Sequence, residues 1–566
     1  MRFKLLIIIL FVYSFSYSQE VSYPQYPNPV KIPVYLSATF AELRSNAFHA
    51  GVDIKTQGVE GKEVFAVADG YVSRIGVSPY GYGKVLYITH NDGFTSVYAH
   101  LSKFNQKITD FVRAKQYEDK SFAQNILLNE GEFPVKRGDY LGLTGNSGSS
   151  GGPHLHYEIR YTETQEPVNP MFFGLKINDK IKPCIKGLAI YPLDNSFVNH
   201  SDTAIYLETT LKNGKYILDN HKFSVNGNIA FGINVYDQAD GSNNKNGAYI
   251  IELYADNELI FSIKSDKYSY NETRYINSLI DYAHYVTDKE RFIRSEIDEF
   301  NKLELYEVRN GVVSVKHGDV VKMKYVVKDY NNNESVLNFT LVGKKKSDST
   351  PKPELPRSYY RIFDGVPSNI CMDGFEAEIP EFAFYKNVSI KATQIDTMKN
   401  IYSNFAYLLG NEQIPLHKRI KICMKPNDKY VDDTTLYVAS FTKNGEFVFL
   451  GNKNVDGFIE ASTNALGIYV IAKDSVAPRV IPVNFKSNSS IKDNWSLRLE
   501  IEDKETGISK YEMFVNGEWV LADYDPKKKL LMYQVDNHIK KGHNNLEVIV
   551  TDMVGNKKIY KTTLQR

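Results

Sequence analysis

Residues 84–101 read KVLYITHNDGFTSVYAHL. Two runs rich in β-branched and aromatic residues flank Asn91-Asp92-Gly93, and that turn chemistry closes a β-hairpin. A hairpin commits the chain to antiparallel pairing and exposes edges that further strands must cover. The same punctuation recurs nearby. VFAVADGYVSRIG predicts two strands around a tight turn at Asp69-Gly70, and VKRGDYLGLTG predicts another turn at Arg137-Gly138-Asp139. Residues 49–180 are therefore expected to form one compact antiparallel β domain. ITDFVRAKQYEDKSFAQNILLNEGEF, residues 108–133, breaks the rhythm with helix-compatible spacing and predicts an insert, either a lid or a surface helix.

The chain of 566 residues is too long for one core and predicts about three to five domains. Beyond residue 181, GAYIIELYADNELIF (Gly247–Phe261) parallels GISKYEMFVNGEWVL (Gly507–Leu521), each a strand, a two-residue turn and a strand. VVKDYNNNESVLNFTL likewise parallels IVTDMVGNKKIYKTTL, with Asp329 and Asn333 in the places of Asp552 and Asn556. These repeats predict two immunoglobulin-like β-sandwiches at 185–345 and 477–566. A Lys/Ser/Pro-rich linker spans 346–356, and a further β-rich module covers 357–475. The predicted fold class is mainly β throughout: an antiparallel β domain followed by several β-rich modules.

Residues 1–18 predict a secretory signal peptide: Arg2 and Lys4, the apolar run Leu5–Val12, and Ser16 and Ser18 before a cut at Gln19. The apolar run is well short of the ~20 residues that span a bilayer, so no transmembrane anchor is expected. The mature chain then opens with an extended Pro- and Tyr-rich lead-in, 19–48, and works in the periplasm, the cell envelope or outside the cell. A net charge of +1 gives no global field for nucleic acid or anionic membrane. The three cysteines, Cys184, Cys371 and Cys423, are expected to be buried free thiols.

Histidine marks the chemistry. Of 12 in the chain, His49, His90, His100, His154 and His156 fall in one short segment. In PHLHYEIR, a strand would send His154, His156 and Glu158 to one face, with Leu155 and Tyr157 behind. FHAGVDIKT supplies His49 and Asp53 about a bend at Gly51. His49, Asp53 and one histidine of the pair make a three-ligand set of nitrogen and oxygen donors, with a fourth position left to water, as in catalytic zinc sites. Strand geometry does not choose between His154 and His156. Taken singly, each feature also suits a structural role: a capped turn at Asp53, a satisfied histidine at His100.

Together, HAGVD, YAHLS and GNSGSSGGPHLHYE resemble, in order, the motifs of the LytM/lysostaphin-type zinc metallopeptidases of bacterial cell walls, over residues 49–172. The resemblance implies one Zn2+ per domain held by His49, Asp53 and His156. It implies that His100 and His154 orient or deprotonate the water that zinc activates and stabilise the oxyanion. Glu158 would support the ligands from behind, and His90 would be structural. The glycine run Gly145–Gly152 reads as a groove that small-residue peptides approach closely, which suits peptidoglycan stem peptides or cross-bridges. The expected activity is a zinc-dependent endopeptidase, with the β modules meeting wall or envelope proteins. The rival readings are a wall-binding or hydrolase-activating protein and a zinc endopeptidase of Gly-rich proteins.

Overall fold

The computed structural model describes residues 22–345, 359–396, 398–493 and 495–566. The expected signal peptide, 1–18, and linker, 346–356, lie outside the described residues. The fold is mainly β, an N-terminal β domain followed by β-rich units. Among the described residues no helix is long and apolar enough to cross a membrane.

The main sheet of the N-terminal domain uses β1 (Leu36–Ala38), β2 (Val52–Lys55), β3 (Gly70–Val77), β4 (Lys84–His90), β5 (Phe94–Leu101), β6 (Gln124–Leu127) and β7 (His154–Tyr161). Its spatial order is β1-β2-β7-β5-β4-β3-β6. β4 and β5 form the expected hairpin, with Thr89 opposite Thr95. VFAVADGYVSRIG does hold two strands about a turn, but they do not pair with each other. Glu63–Phe65 joins a separate small sheet with Tyr140–Leu143, while β3 pairs with β4. Strands flanking a turn need not pair when each finds a better partner elsewhere.

β7 lies at the centre, between β2 and β5. Its alternate residues Leu155, Tyr157 and Ile159 enter a core with Val52, Ile54, Ile88 and Tyr98. The remaining side chains, from His154 to Arg160, take the opposite face, as period-two alternation requires. The lead-in is more than extended chain. β1 covers the sheet edge, and Phe40, Ala41 and Phe48 enter a core shared with the next unit.

The insert begins as a helix, α1 (Gln106–Glu118), capped by Asn105, whose side chain accepts from Ile108 N at 3.0 Å. Ile108 and Val112 anchor it to the domain core. The outer side of α1 carries the last unit of the chain. Tyr117 stacks on His538 at 5.4 Å between ring centroids, and Arg113 pairs with Asp536 at 2.7 Å.

Three two-sheet units follow. In Cys184–Gly343 the two sheets are joined through the long strand Lys222–Tyr236. Tyr359–Lys473 packs six strands against five, and Arg479–Gln565 packs four against five. Both repeated motifs form hairpins, with turns at Asp256-Asn257 and Asn516-Gly517. The cysteines are unpaired, but only Cys423 is buried; Cys371 is exposed and Cys184 half-buried. Cys371 lies on the strand Ser368–Met372 at the edge of its sheet, so one side of it stays open to water.

Leu155 is fully buried between the two histidines of β7. Leu155→Ala is expected to cost about 2–5 kcal/mol. The measurement is hydrogen exchange of β7 and β2 amides, which should lose protection together while the C-terminal strands keep theirs.

Candidate metal centre

Asp53 and His156 are cross-strand neighbours on β2 and β7, which is how side chains 103 positions apart come to touch. His49 joins them from the loop before β2. His156 Nδ1 lies 2.9 Å from Asp53 Oδ1, His49 Nε2 lies 3.0 Å from the same oxygen, and the two nitrogens are 3.0 Å apart. All three side chains are buried. The loop reaches β7 because residue 51 is glycine: a Cβ there would stand 2.2 Å from Tyr157 O and 2.8 Å from Glu158 Cγ.

Each imidazole is held in one tautomer by its outward nitrogen. His49 Nδ1 donates to Thr39 O at 2.8 Å, and His156 Nε2 donates to Glu158 Oε1 at 2.7 Å. His100 Nδ1 donates to Ser147 O at 2.9 Å, and His154 Nδ1 to Gly152 O at 2.8 Å. A carbonyl or carboxylate only accepts, so in the neutral ring the other nitrogen carries a lone pair, turned inward. Two lone pairs and an anionic oxygen about 3 Å apart repel unless a cation lies among them. The donor set, two imidazoles and a carboxylate, and its edges fit a tetrahedral metal with bonds of about 2.0–2.1 Å, whose donor edges are about 3.3 Å. His154 Nε2, 3.4 Å from Asp53 Oδ1, is buried without a hydrogen-bond partner. The structure thus brings His49, Asp53 and His156 into one group and sets His100 and His154 beside it, with rings 4.8 Å apart.

His100 arrives by a route that alternation does not predict. β5 carries a bulge against β4 at this point, and His100 has φ +59°. The extra residue inverts the alternation, so Leu101 enters the core and His100 turns to the metal face. A non-glycine residue in the left-handed region is strained, and such strain gathers at functional sites.

The charges are ordered by burial and by partners. Burial opposes charge on Asp53, but the surrounding histidines outweigh it and hold the carboxyl well below its usual range. Burial opposes charge on His156 too, yet Asp53 and Glu158 lift it to about 9 in the metal-free group, so a metal ion bound there would displace the proton from Nδ1 and take up its lone pair. Burial lowers His49, and burial with His156 and His154 draws His100 down to about 3.

Glu158 is the hub behind the ligands. It is fully buried and accepts from Tyr82 Oη at 2.6 Å, Arg160 Nε at 2.7 Å and Tyr270 Oη at 3.0 Å. Arg160 also lies over the rings of Tyr87 and Tyr270, at 5.2 and 4.7 Å. Arg44 of the lead-in holds the second oxygen of Asp53 at 3.1 Å. Sequence reading found Glu158 but missed Arg160, although Arg160 continues the same two-residue alternation. Nothing in the sequence pointed to Arg44, Tyr82 or Tyr270.

The groove reading of Gly145–Gly152 divides in two. At Gly148, φ +71°, a Cβ would meet Gly83 N at 2.3 Å and Gly81 O at 2.4 Å, so the backbone that approaches there is the chain's own. Around Gly151 and Gly152 the space is open. Lys527 of the last unit donates to Asn146 O and, at 3.1 Å, to Ser150 O, laying that unit against the loop. His90 is structural in its contacts, bonded to Asp69 O and Ser96 Oγ.

Fold and donor set together define a β domain of the metallopeptidase class. Residues 47–117 match Peptidase family M23, and the N-terminal domain is an M23 domain of the LytM/lysostaphin type. Residues 367–474 match the Zu5-like domain. The chain is 34% identical over 133 residues to the DD-carboxypeptidase/endopeptidase Mpg of Neisseria meningitidis, a stretch that is 24% of each protein. It is 33% identical over 127 residues to the murein hydrolase activator NlpD of Escherichia coli, 22% of this chain and 26% of that one. The chain thus spans about a quarter of the length of these relatives. A zinc-containing peptidase from Vibrio cholerae superposes with a TM-score of 0.20 and 27% identity, over 26% of this chain and 39% of that one.

Glu158→Gln keeps the volume and the acceptor of Glu158 but removes its charge. Loss of such an outer partner is expected to weaken metal binding about 10–100-fold, read by titrating zinc against a competing chelator, with circular dichroism to confirm the fold.

Proposed function

We propose that this chain is an exported zinc metalloendopeptidase that hydrolyses peptide bonds of bacterial peptidoglycan, in stem peptides or cross-links. The observation that carries the reading is the set of four pinned imidazoles around one carboxylate. His49, Asp53 and His156 would hold the metal, and His100 and His154 would work the reaction. Bound zinc supplies Lewis acidity, polarising the scissile carbonyl and lowering the pKa of its water to about 7.

The protein's own groups do the rest. The unpartnered Nε2 of His154 is the base: it takes a proton from the attacking water and returns it to the leaving amine. While it carries that proton, it is a cationic donor facing the developing oxyanion. His100, drawn down to about 3, is the poorer base and instead orients the water through its Nε2 lone pair. Glu158 fixes the angle of His156, and Arg44 fixes that of Asp53. The open space at Gly151 and Gly152, beside His154, leaves room for a peptide backbone to approach the site.

Peptidoglycan as substrate draws support from the names of the two relatives, a carboxypeptidase/endopeptidase and a murein hydrolase activator. The second name also supports a second reading, a non-catalytic wall-binding or activating protein. The contact of Lys527 with the loop before His154 favours it, because that contact narrows access to the site.

Digestion of purified muropeptides, followed by mass spectrometry, separates these readings. Wild type should release cleaved peptides and bind one zinc, and His156→Ala should lose both. His154→Ala should keep zinc and lose about 10²–10⁴-fold in turnover. If the zinc-loaded chain and its Lys527→Ala variant both leave every muropeptide intact, the endopeptidase reading fails and the activator reading stands. Cleavage confined to Gly-rich proteins would move the substrate away from the wall.

A further inference from the structure

The first and last two-sheet units share one plan, and it brings together acidic residues that the metallopeptidase site does not use. In Cys184–Gly343, Asp179 precedes the opening strand Cys184–Pro192, Asp237 follows the strand Lys222–Tyr236, and Asp329 follows Val320–Lys328. In the last unit, Asp474 precedes Arg479–Pro482, Asp503 follows Ser496–Glu502, and Asp552 ends His543–Asp552. Each triad offers three oxygens within 4.8 Å of one another. In each, an asparagine four places on ties two members together. Asn333 Nδ2 donates to Asp329 Oδ2 and to Asp179 O, at 2.6 and 3.1 Å, and Asn556 Nδ2 donates to Asp552 Oδ2 and to Asp474 O, at 2.8 and 2.9 Å.

The triads differ in what stands beside them. In the last unit, Asp552 Oδ1 is taken up by the N–H groups of Val554, Gly555 and Asn556. Asp503 Oδ1 is taken up by Thr506 and Gly507, and Asp474 by Val476 and Thr506. In the first unit Asp329 Oδ1 is likewise taken up by the N–H of Asn333, and Asp179 Oδ1 by those of Ile181 and Asp240, but Asp237 is 5% exposed and its Oδ1 has no hydrogen-bond partner. Asn246 is 3% exposed, and neither its Oδ1 nor its Nδ2 has a partner. Asp237 and Asn246 face each other through two backbone hydrogen bonds of 2.8 Å, and residues so opposed carry their side chains on the same face. Both line one cavity of about 50 Å³ with Asp179 and Asp329. Lys328, which precedes Asp329, turns away to Glu252 and Glu334.

We propose that Asp179, Asp237 and Asp329, with the side-chain oxygen of Asn246, bind a calcium-class divalent cation. Buried carboxylates crowded together need a counter-charge, and a buried amide without a partner needs a ligand. The donors are all oxygens, and the cavity lining contains no histidine or cysteine, which selects a hard cation over zinc. The site sits at the joint between the M23 domain and the first unit, where Asn169 and Ile177 line the same cavity. Next to Asn246, Gly247 N donates to Thr39 Oγ1 at 3.1 Å, and Thr39 O is the acceptor that pins His49. A cation here would brace the joint on which the ligand loop rests.

The test uses the full chain loaded with zinc, so that the M23 centre does not compete. Calcium is titrated by calorimetry, with magnesium in a parallel arm, and thermal unfolding is followed with and without calcium. The expected result is a calcium-binding event at or below millimolar concentration that raises the unfolding temperature. Asp237→Asn and Asp329→Asn should each weaken it at least tenfold, and Asp474→Asn in the last unit should leave it unchanged. Absence of calcium binding at millimolar concentration would overturn the proposal, as would binding that survives both Asp237→Asn and Asp329→Asn. A magnesium response that matches the calcium response in affinity and stabilisation would overturn the assignment to a calcium-class ion. Zinc content is measured in every variant, so a loss at the M23 centre is told apart from a loss at this one.

Discussion

The 2.7 Å hydrogen bond from His156 Nε2 to Glu158 determines which nitrogen of the ring faces Asp53. Turning the other nitrogen inward would put an N–H where a lone pair is needed, and the three-donor group would not form. The bond depends on a carboxylate with no access to solvent, and an unpaired buried carboxylate is costly. Arg160, Tyr82 and Tyr270 offset that cost, with donors on both oxygens of Glu158. Burial and the charge of Glu158 hold both tyrosines well above their usual range, so they stay protonated and keep donating. The same low dielectric that makes the carboxylate expensive strengthens each of these bonds.

One of those donors comes from outside the M23 domain. Tyr270 belongs to the first two-sheet unit, and its neighbours clasp the other side of the site as well. Tyr268 Oη donates to Phe48 O at 3.0 Å, and Thr273 Oγ1 accepts from Phe48 N at 2.9 Å, so the residue before His49 is held at both its polar backbone groups. From the lead-in, Thr39 and Arg44 complete the hold on His49 and Asp53. The candidate metal centre is therefore built by three stretches of chain. This explains why the lead-in and the first unit share a core through Phe40, Phe48 and Tyr268.

Much of this was legible one residue at a time. Period two in PHLHYEIR places His154, His156 and Glu158 on one face, and the structure has them there. The motif resemblance supplies an expected division of labour between His154 and His156, which strand geometry leaves open. The failures have physical causes. Cross-strand register joins Asp53 to His156, and register depends on pairings that no local pattern encodes. His100 stands on the metal face only because a bulge inverts the alternation, and alternation read from YAHLS puts it in the core. The glycine loop was read as room for substrate, whereas at Gly148 it is the contact surface of residues 81–83. Tyr270 lies 112 positions beyond Glu158, and nothing about it as a residue announces the contact.

The insert and the last unit show how access to the site is shaped from a distance. α1 is locked to the M23 core on its inner side by Ile108 and Val112, and its outer side holds the last unit through Tyr117 and Arg113. That attachment sets the place of Lys527, whose ammonium reaches two carbonyls of the loop leading to His154. Exposed charge-assisted contacts of this kind are individually weak, but the stacked ring and the buried anchors of α1 keep the two surfaces in register. A carbonyl drawn to Lys527 is no longer free to pair with a substrate backbone, while Gly151 and Gly152 stay open beyond it. The loop leading to His154 is thus held at one end by the far end of the chain, docked on α1, and left open at the other.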